Sequence, residues 1–293
     1  MYKIWTIGRK EVKMDKNEIP SKERLESLMN EFGSMGKVAA ELSKPYGTVR
    51  AWFNKYKLPR PESNRTVFHE LRETPFSDIQ RSVVLGSILG DGGLQLPRRG
   101  KNAKLHIKHC VRQLPYLKWK KKLLDPFSRK IYKTSEDEEH VINGSKFHST
   151  STYVCYTICH PDITDFFYKY YCSGKKGIIE EVIDELNLLS LAIWVADDGS
   201  FYSDKKWTNS IGGKICTNSF SYQEQEFLKD ALSKFFCGRI NIMPYRCNGR
   251  NEHVLKLTGS DCLRDFLSMI RNVLPECIHF KLDPQRLHAK LSK

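Results

Sequence analysis

Along the chain, apolar positions recur at helical spacing in some stretches and alternate in others, and this change of period divides the sequence. Leu25, Leu28, Met29 and Phe32 form one stripe, which predicts a helix over 25–32 that stops before Gly33. A second, short helix is expected over 36–42. Pro45 and Gly47 mark a turn, and a third helix restarts with Thr48 as N-cap and runs to Tyr56. Val38, Ala39, Leu42, Val49 and Trp52 are expected to fill a small core, with Arg50, Ala51, Asn54 and Lys55 facing outward. Residues 59–76 hold three prolines and no clear period, and read as a linker.

Beyond residue 76 one pattern occurs twice. The first copy is an apolar helix ending in Asp91-Gly92, strands at 93–96 and 104–110, a helix over 114–124, a strand at 152–160 and a helix over 161–171. The second is an apolar helix ending in Asp198-Gly199, a strand at 214–218, a helix over 222–236, strands at 239–245 and 253–258, and a helix over 260–273. The domain expectation is therefore a helical unit over 1–58, a linker over 59–76, a first repeat over 77–186, and a second over 187–293 that ends in a basic tail.

Charge narrows the partners. The 293 residues carry 48 Lys and Arg against 34 Asp and Glu, a net charge of +14, and both the first 76 residues and the remainder are basic. A fold needs no such imbalance, but a polyanion rewards it. No apolar run reaches membrane-spanning length, and the N-terminus lacks a signal-peptide core, so a non-secreted intracellular protein without a membrane partner is expected. The nine cysteines are scattered apart from Cys155, Cys159 and His160. No second pair completes a zinc set, which leaves buried thiols as the reading. The three N-terminal helices resemble a helix-turn-helix, with Arg50, Asn54 and Lys55 of the last helix as candidate DNA contacts.

The repeated helices carry the chemistry. Gly86 and Gly90, like Ala192 and Ala196, lie one turn apart and give each helix a flat side suited to close packing. Asp91 and Asp198 then stand at helix C-termini, where the dipole disfavours an anion, and side-by-side packing adds mutual repulsion. A divalent cation relieves both penalties, and hard oxygen ligands select Mg²⁺.

With those residues in view, Val84-Leu-Gly-Ser-Ile-Leu-Gly-Asp-Gly92 and Leu191-Ala-Ile-Trp-Val-Ala-Asp-Asp-Gly199 resemble the paired motifs of a single-chain LAGLIDADG homing endonuclease. Resemblance covers about residues 79–283. It implies an α+β fold: two pseudo-symmetric αββαββα repeats forming a DNA-binding saddle, preceded here by the small all-α helix-turn-helix domain. It further implies a basic residue late in each repeat. Lys281, in Phe-Lys-Leu, matches that position in the second repeat, and Lys176 in the first, with Lys175 adjacent as the alternative. By position, Asp198 rather than Asp197 is the second metal ligand. Asp197 is expected to act mainly through its backbone carbonyl, which with that of Gly90 is a further candidate metal ligand.

The implied reaction is Mg²⁺-dependent hydrolysis of one phosphodiester in each strand of a long asymmetric double-stranded DNA site by a monomer, leaving short 3′ overhangs, as in intron homing. Alternation places Lys104, His106 and Lys108 on one strand face and Leu105 and Ile107 on the other. Arg239, Asn241, Met243 and Tyr245 alternate likewise with Ile240 and Ile242. The polar faces are candidates for base contacts, with Arg98, Arg99 and Lys101 holding phosphates. The same architecture also serves intron RNA maturases and non-catalytic transcription regulators. Two intact carboxylates argue against the regulator, whereas a host intron RNA stays open as a second partner. No splicing nucleophile or terminal Asn is evident, so an intein is not expected.

Overall fold

The computed structural model describes residues 19–58, 64–98, 100–142, 145–172, 175–203, 210–247 and 250–284. Two compact units divide at residues 69 and 70. Among the described residues no helix is long and apolar enough to cross a membrane.

The first unit holds α1 (Lys22–Phe32), α2 (Met35–Glu41) and α3 (Tyr46–Lys55). Ser21 caps α1 by accepting from the Arg24 amide, and Gly33 ends it with φ 67°, a conformation that costs glycine little. Leu25, Leu28, Met29, Val38, Ala39, Val49, Trp52 and Phe53 form the core, and Leu42 packs partly buried against it. Arg50, Ala51, Asn54 and Lys55 are exposed. The third helix begins earlier than the sequence suggests. Pro45 is its N-cap, and Gly47 and Thr48 lie inside it, because a proline φ of −56° already suits a helix start.

Within the stretch read as a linker, α4 (Asn64–Glu73) is helical. Its last turn is tied down by long-range contacts. Arg72 Nε donates to the Cys159 carbonyl at 3.2 Å, and His160 Nε2 lies 3.2 Å and 3.0 Å from the Leu71 and Thr74 carbonyls. His160 Nδ1 accepts from the Asp162 amide, and its ring stacks on Phe76. That histidine is structural, and Cys155 is a buried free thiol.

The second unit continues with α5 (Asp78–Leu89), β1 (Gly92–Gln95), β2 (Lys104–Cys110), α6 (Leu114–Leu124), β3 (Tyr132–Ser135), β4 (Glu138–Ile142), β5 (Ser145–Ser149), β6 (Thr152–Tyr156), α7 (Pro161–Tyr170), β7 (Tyr171–Cys172), β8 (Lys175–Lys176) and α8 (Val182–Glu185). The later half comprises α9 (Leu188–Asp198), β9 (Gly199–Ser203), β10 (Ile211–Ile215), α10 (Tyr222–Ser233), β11 (Arg239–Cys247), β12 (Arg250–Thr258) and α11 (Ser260–Val273), closed by a 3₁₀ segment, Glu276–Leu282. Two antiparallel four-stranded sheets result, ordered β1-β2-β6-β3 and β11-β12-β10-β9. The fold is thus the expected α+β repeat pair. Strand β3, the β4–β5 and β7–β8 hairpins and strand β9 are additions that the apolar pattern did not announce.

The repeats match in register as well as order. Gly92 pairs with Ile107 across β1 and β2, and Gly199 pairs with Ile215 across β9 and β10. Each apolar helix therefore runs directly into the first strand of its own sheet, with an aspartate at the junction. Residues Ser82–Leu89 of α5 and Ser190–Asp197 of α9 are buried, and the two helices pack against one another. A Cβ added to Gly86 would lie 2.5 Å from the Ser190 carbonyl oxygen, and one on Gly90 would lie 2.5 Å from Asp197 Cβ. The small positions are what let the two backbones approach.

Candidate active site

Asp91 follows the Gly90 that caps α5, and Asp198 is the last residue of α9. Helix contact brings both carboxylates into one electrostatic neighbourhood. Burial, reinforced by the charges of Asp91 and Asp197, pushes the Asp198 carboxyl up to about 7, against the pull of Lys176 and Lys281. Burial and the Asp197 charge raise Asp91 as well. Buried carboxyls raised in this way are relieved by positive charge placed beside them.

The two lysines stand in matching places. Lys176 Nζ donates to the Gly90 carbonyl at 3.0 Å, and Lys281 Nζ donates to the Asp197 carbonyl at 2.6 Å. Gly90 and Asp197 hold equivalent positions one residue before the two aspartates, so each lysine crosses to the end of one central helix. Lys175, the neighbour of Lys176, is exposed. Burial pulls the Lys176 ammonium below its usual range, opposed by the charges of Asp198 and Asp91. The Gly90 and Asp197 carbonyls thus already accept from ammonium groups, which leaves the carboxylates as the stronger cation ligands.

Asp197 is more than a carbonyl, contrary to the sequence expectation. Its side chain is fully buried, and Lys120 Nζ donates to both carboxylate oxygens at 2.9 Å and 2.8 Å. The Asp91 backbone N–H donates to Asp197 Oδ2 at 3.3 Å. Lys120 Nζ also lies 3.4 Å from Nε2 of His109, whose buried Nδ1 faces Asp91 Oδ2 at 3.6 Å. Tyr116 stacks over this group, with the Lys120 ammonium 4.5 Å from its ring centroid. Burial and the adjacent Lys120 charge hold the His109 imidazole down to about 3, so it is neutral in the physiological range.

Asp91, His109 and Asp197 offer ligand atoms within 4.8 Å of one another. Asp197, however, is already neutralised by a buried ammonium, which would repel a cation placed beside it. Asp91, with a side chain 41% exposed, and Asp198 supply the accessible, charge-deficient oxygens that fit a divalent ion.

Sequence reasoning missed Lys120 and His109, although both left a signal. Lys120 shares the α6 stripe of Leu117 and Leu124, and His109 continues the Leu105–Ile107 face of β2. Each is thus a polar residue at a core position.

On β2 the candidate DNA-facing residues are arranged as alternation predicts, whereas on β11 the pattern fades after Ile240, with Asn241 and Ile242 both half-buried. Leu105 and Ile107 are buried, whereas Lys104 and His106 are half-buried and Lys108 is exposed. Lys104 Nζ stands 4.5 Å from the Tyr156 ring centroid. On β11 Arg239 is exposed, Asn241 half-buried and Ile240 buried. Lys214 of β10, absent from the sequence candidates, lies 4.6 Å from the Tyr245 ring on the same sheet. Arg98 and Lys101 are exposed, and Arg99 lies outside the described residues, as does the C-terminal tail.

Comparison with known proteins identifies the family and the fold. Residues 81–261 match the LAGLIDADG DNA endonuclease family, and the chain belongs to it. It is 33% identical over 223 residues to Protein RecA of Mycolicibacterium flavescens, a match covering 71% of this chain and 47% of that protein. The chain therefore spans about half the length of that relative. It is 26% identical over 207 residues to DNA endonuclease I-ChuI of Chlamydomonas applanata, covering 63% of this chain and 92% of that one. The solved structure of the homing endonuclease I-WcaI bound to its DNA recognition sequence shares the fold, with a TM-score of 0.62 and 21% identity over 77% of this chain and 95% of that chain.

Proposed function

We propose that this chain is a site-specific homing endonuclease that cleaves both strands of a long, asymmetric DNA duplex as a monomer and leaves short 3′ overhangs. The observation that carries this reading is the matched pair of helix ends. Asp91 and Asp198 are raised by shared burial and charge, and Lys176 and Lys281 are each anchored on the carbonyl preceding an aspartate.

Asp91 and Asp198 would hold Mg²⁺, which when bound polarises the scissile phosphate and makes its bound water more acidic. The remaining work falls to the chain itself. Lys176 and Lys281 carry positive charge at the helix ends, where it offsets the charge that builds on a phosphate in the transition state. Their carbonyl anchors fix the ammonium groups before substrate arrives, which lowers the reorganisation cost of that stabilisation. Lys104, His106 and Lys108 on one sheet, with Arg239 and Asn241 on the other, present donors and acceptors to base edges in the major groove. Arg98, Arg99 and Lys101 hold phosphates, and Arg50, Asn54 and Lys55 place a second DNA contact on α3.

The test is selection of cleaved sites from a library carrying the uninterrupted sequence that flanks the gene. One long site cut on both strands with Mg²⁺, and not with chelator, supports the proposal. Binding without cleavage of any duplex, together with acceleration of splicing of the flanking intron RNA, overturns it in favour of a maturase.

A further inference from the structure

The two helix ends are matched in outline but not in what stands behind them. Gly90 and Asp197 occupy equivalent positions, and they meet: a side chain on Gly90 would overlap Asp197 Cβ and Oδ2, at 2.5 Å and 2.7 Å. Only one of the two positions can carry a side chain. Asp197 carries it, and its carboxylate takes the Asp91 amide hydrogen.

The residues behind the two helix ends diverge in the same direction. His109 lies two residues beyond Ile107, the partner of Gly92, and Thr217 lies two beyond Ile215, the partner of Gly199. In the first repeat that place is linked to charge. Lys120 bridges the Asp197 carboxylate and His109 Nε2. Because an ammonium offers protons to Nε2, a neutral imidazole carries its own proton on Nδ1, aimed at Asp91. That buried Nδ1 makes no hydrogen bond among the described residues. In the second repeat the hydrogen bonds close on themselves. Thr217 Oγ1 donates to Gln225 Oε1 at 2.9 Å, and Gln225 Nε2 donates to the carbonyls of Thr217, Phe220 and His253.

Stability does not explain the charged version. Both partners of the Lys120–Asp197 pair are fully buried, and an apolar replacement of such a pair is often neutral or stabilising. What the pair does have is reach, since Asp197 accepts from the Asp91 backbone N–H and Lys120 holds the imidazole whose Nδ1 stands 3.6 Å from the Asp91 carboxylate.

We propose that Asp197, Lys120 and His109 are positioning residues that brace Asp91 while Asp198 is left unbraced, so that the two strands are cut through unequal sites. This rests on the endonuclease reading. The Asp91 carboxylate is then positioned from behind before metal and DNA arrive, without an equivalent charged group behind Asp198 among the described residues, and one strand is nicked ahead of the other.

The experiment uses the full chain and a cognate duplex labelled on both strands. Single-turnover nicking is followed strand by strand with Mg²⁺, and Mn²⁺ binding is counted by electron paramagnetic resonance in parallel. The Lys120→Met/Asp197→Asn double variant removes both charges together, so no orphaned ion is left in the interior. His109→Phe removes the imidazole beside Tyr116, and His109→Gln restores a donor. In the double variant and in His109→Phe, one strand, the same in each, should slow roughly 10–100-fold, the scale of a small misplacement of a reacting group, with the other within about twofold. One of two Mn²⁺ sites should weaken alongside, and His109→Gln should recover most of the loss. Equal slowing of both strands, or of neither, overturns the proposal. If the double variant fails to bind DNA in Ca²⁺, the histidine variants decide. If the wild-type chain cuts neither strand, the endonuclease reading fails, and the Mn²⁺ count still decides the bracing.

Discussion

Asp198 and Asp197 are neighbours with opposite electrostatic fates. Lys120 neutralises Asp197 in the interior, whereas Asp198 keeps its proton up to about pH 7 because of burial and adjacent carboxylates. Its folded value lies above the unfolded one, so the stability it contributes is fully present below about pH 4 and is lost as pH rises through 7. Asp198→Asn should therefore melt above the wild type at pH 8 without divalent ions, and the two should converge near pH 4. Each kcal/mol relieved corresponds to roughly 2–4 °C in a chain of this size. Calorimetry across that range checks the sign, and a variant that melts lower at pH 8 contradicts it. Because a metal-binding carboxylate must be ionised, apparent Mg²⁺ affinity should fall as pH drops from 8 to 6 in the wild type, measurable by titration calorimetry. Asp197→Asn acts differently. It strands the Lys120 ammonium in the interior, and loss of one partner of a buried pair costs about 3–5 kcal/mol. Denaturant melts should show that loss, and a cost below about 1 kcal/mol would mean that water reaches the pair.

The crossing of α5 and α9 is where sequence pattern and tertiary structure agree most closely. Small residues one turn apart announced it, and Gly86 does face the Ser190 carbonyl, where a Cβ has no room. Alanine normally favours a helix over glycine by about 0.5–1 kcal/mol, but here the clash is with backbone and cannot be relieved by a rotamer. Gly86→Ala should destabilise by about 1–3 kcal/mol, the usual cost of overpacking, with the loss read from urea melts. A stabilised variant would place the helices further apart than described. Helices such as α6 and α11 were legible because an apolar stripe, Leu117 to Leu124 or Leu263 to Ile270, must face a core. Strand β3 was not legible, since all four of its residues are exposed and leave no alternation. The start of α3 was misread for a local reason: Thr48 looks like a cap, yet Pro45 three residues earlier already has helical φ. At the site, Asp91 and Asp198 were readable because the motif repeats. The carboxylate role of Asp197 was not, because it depends on Lys120, which reaches it only through the fold.

At the scale of the molecule, charge is distributed rather than local. A net +14 over both units suits a partner that runs along the whole chain, and DNA binding of that kind releases counterions. If about eight phosphates are neutralised, log K should fall against log salt with a slope near −7. On the proposed reading, the N-terminal unit should make a separable contribution to that slope. Arg50 and Lys55 are exposed on α3, while Val49, Trp52 and Phe53 on its other side are buried, so substitutions there leave the core intact. Arg50→Ala and Lys55→Ala should each weaken binding uniformly across related sites and reduce the slope by about 0.9, the loss of one phosphate contact. Neither residue is near Asp91 or Asp198 in sequence, and cleavage at saturating enzyme should persist. Fluorescence anisotropy at several salt concentrations, with strand cleavage in parallel, makes the distinction. A slope and footprint unchanged in both variants would mean that α3 binds something other than the target duplex. A loss of cleavage at saturation would instead make that unit a participant in the catalytic complex rather than an anchor.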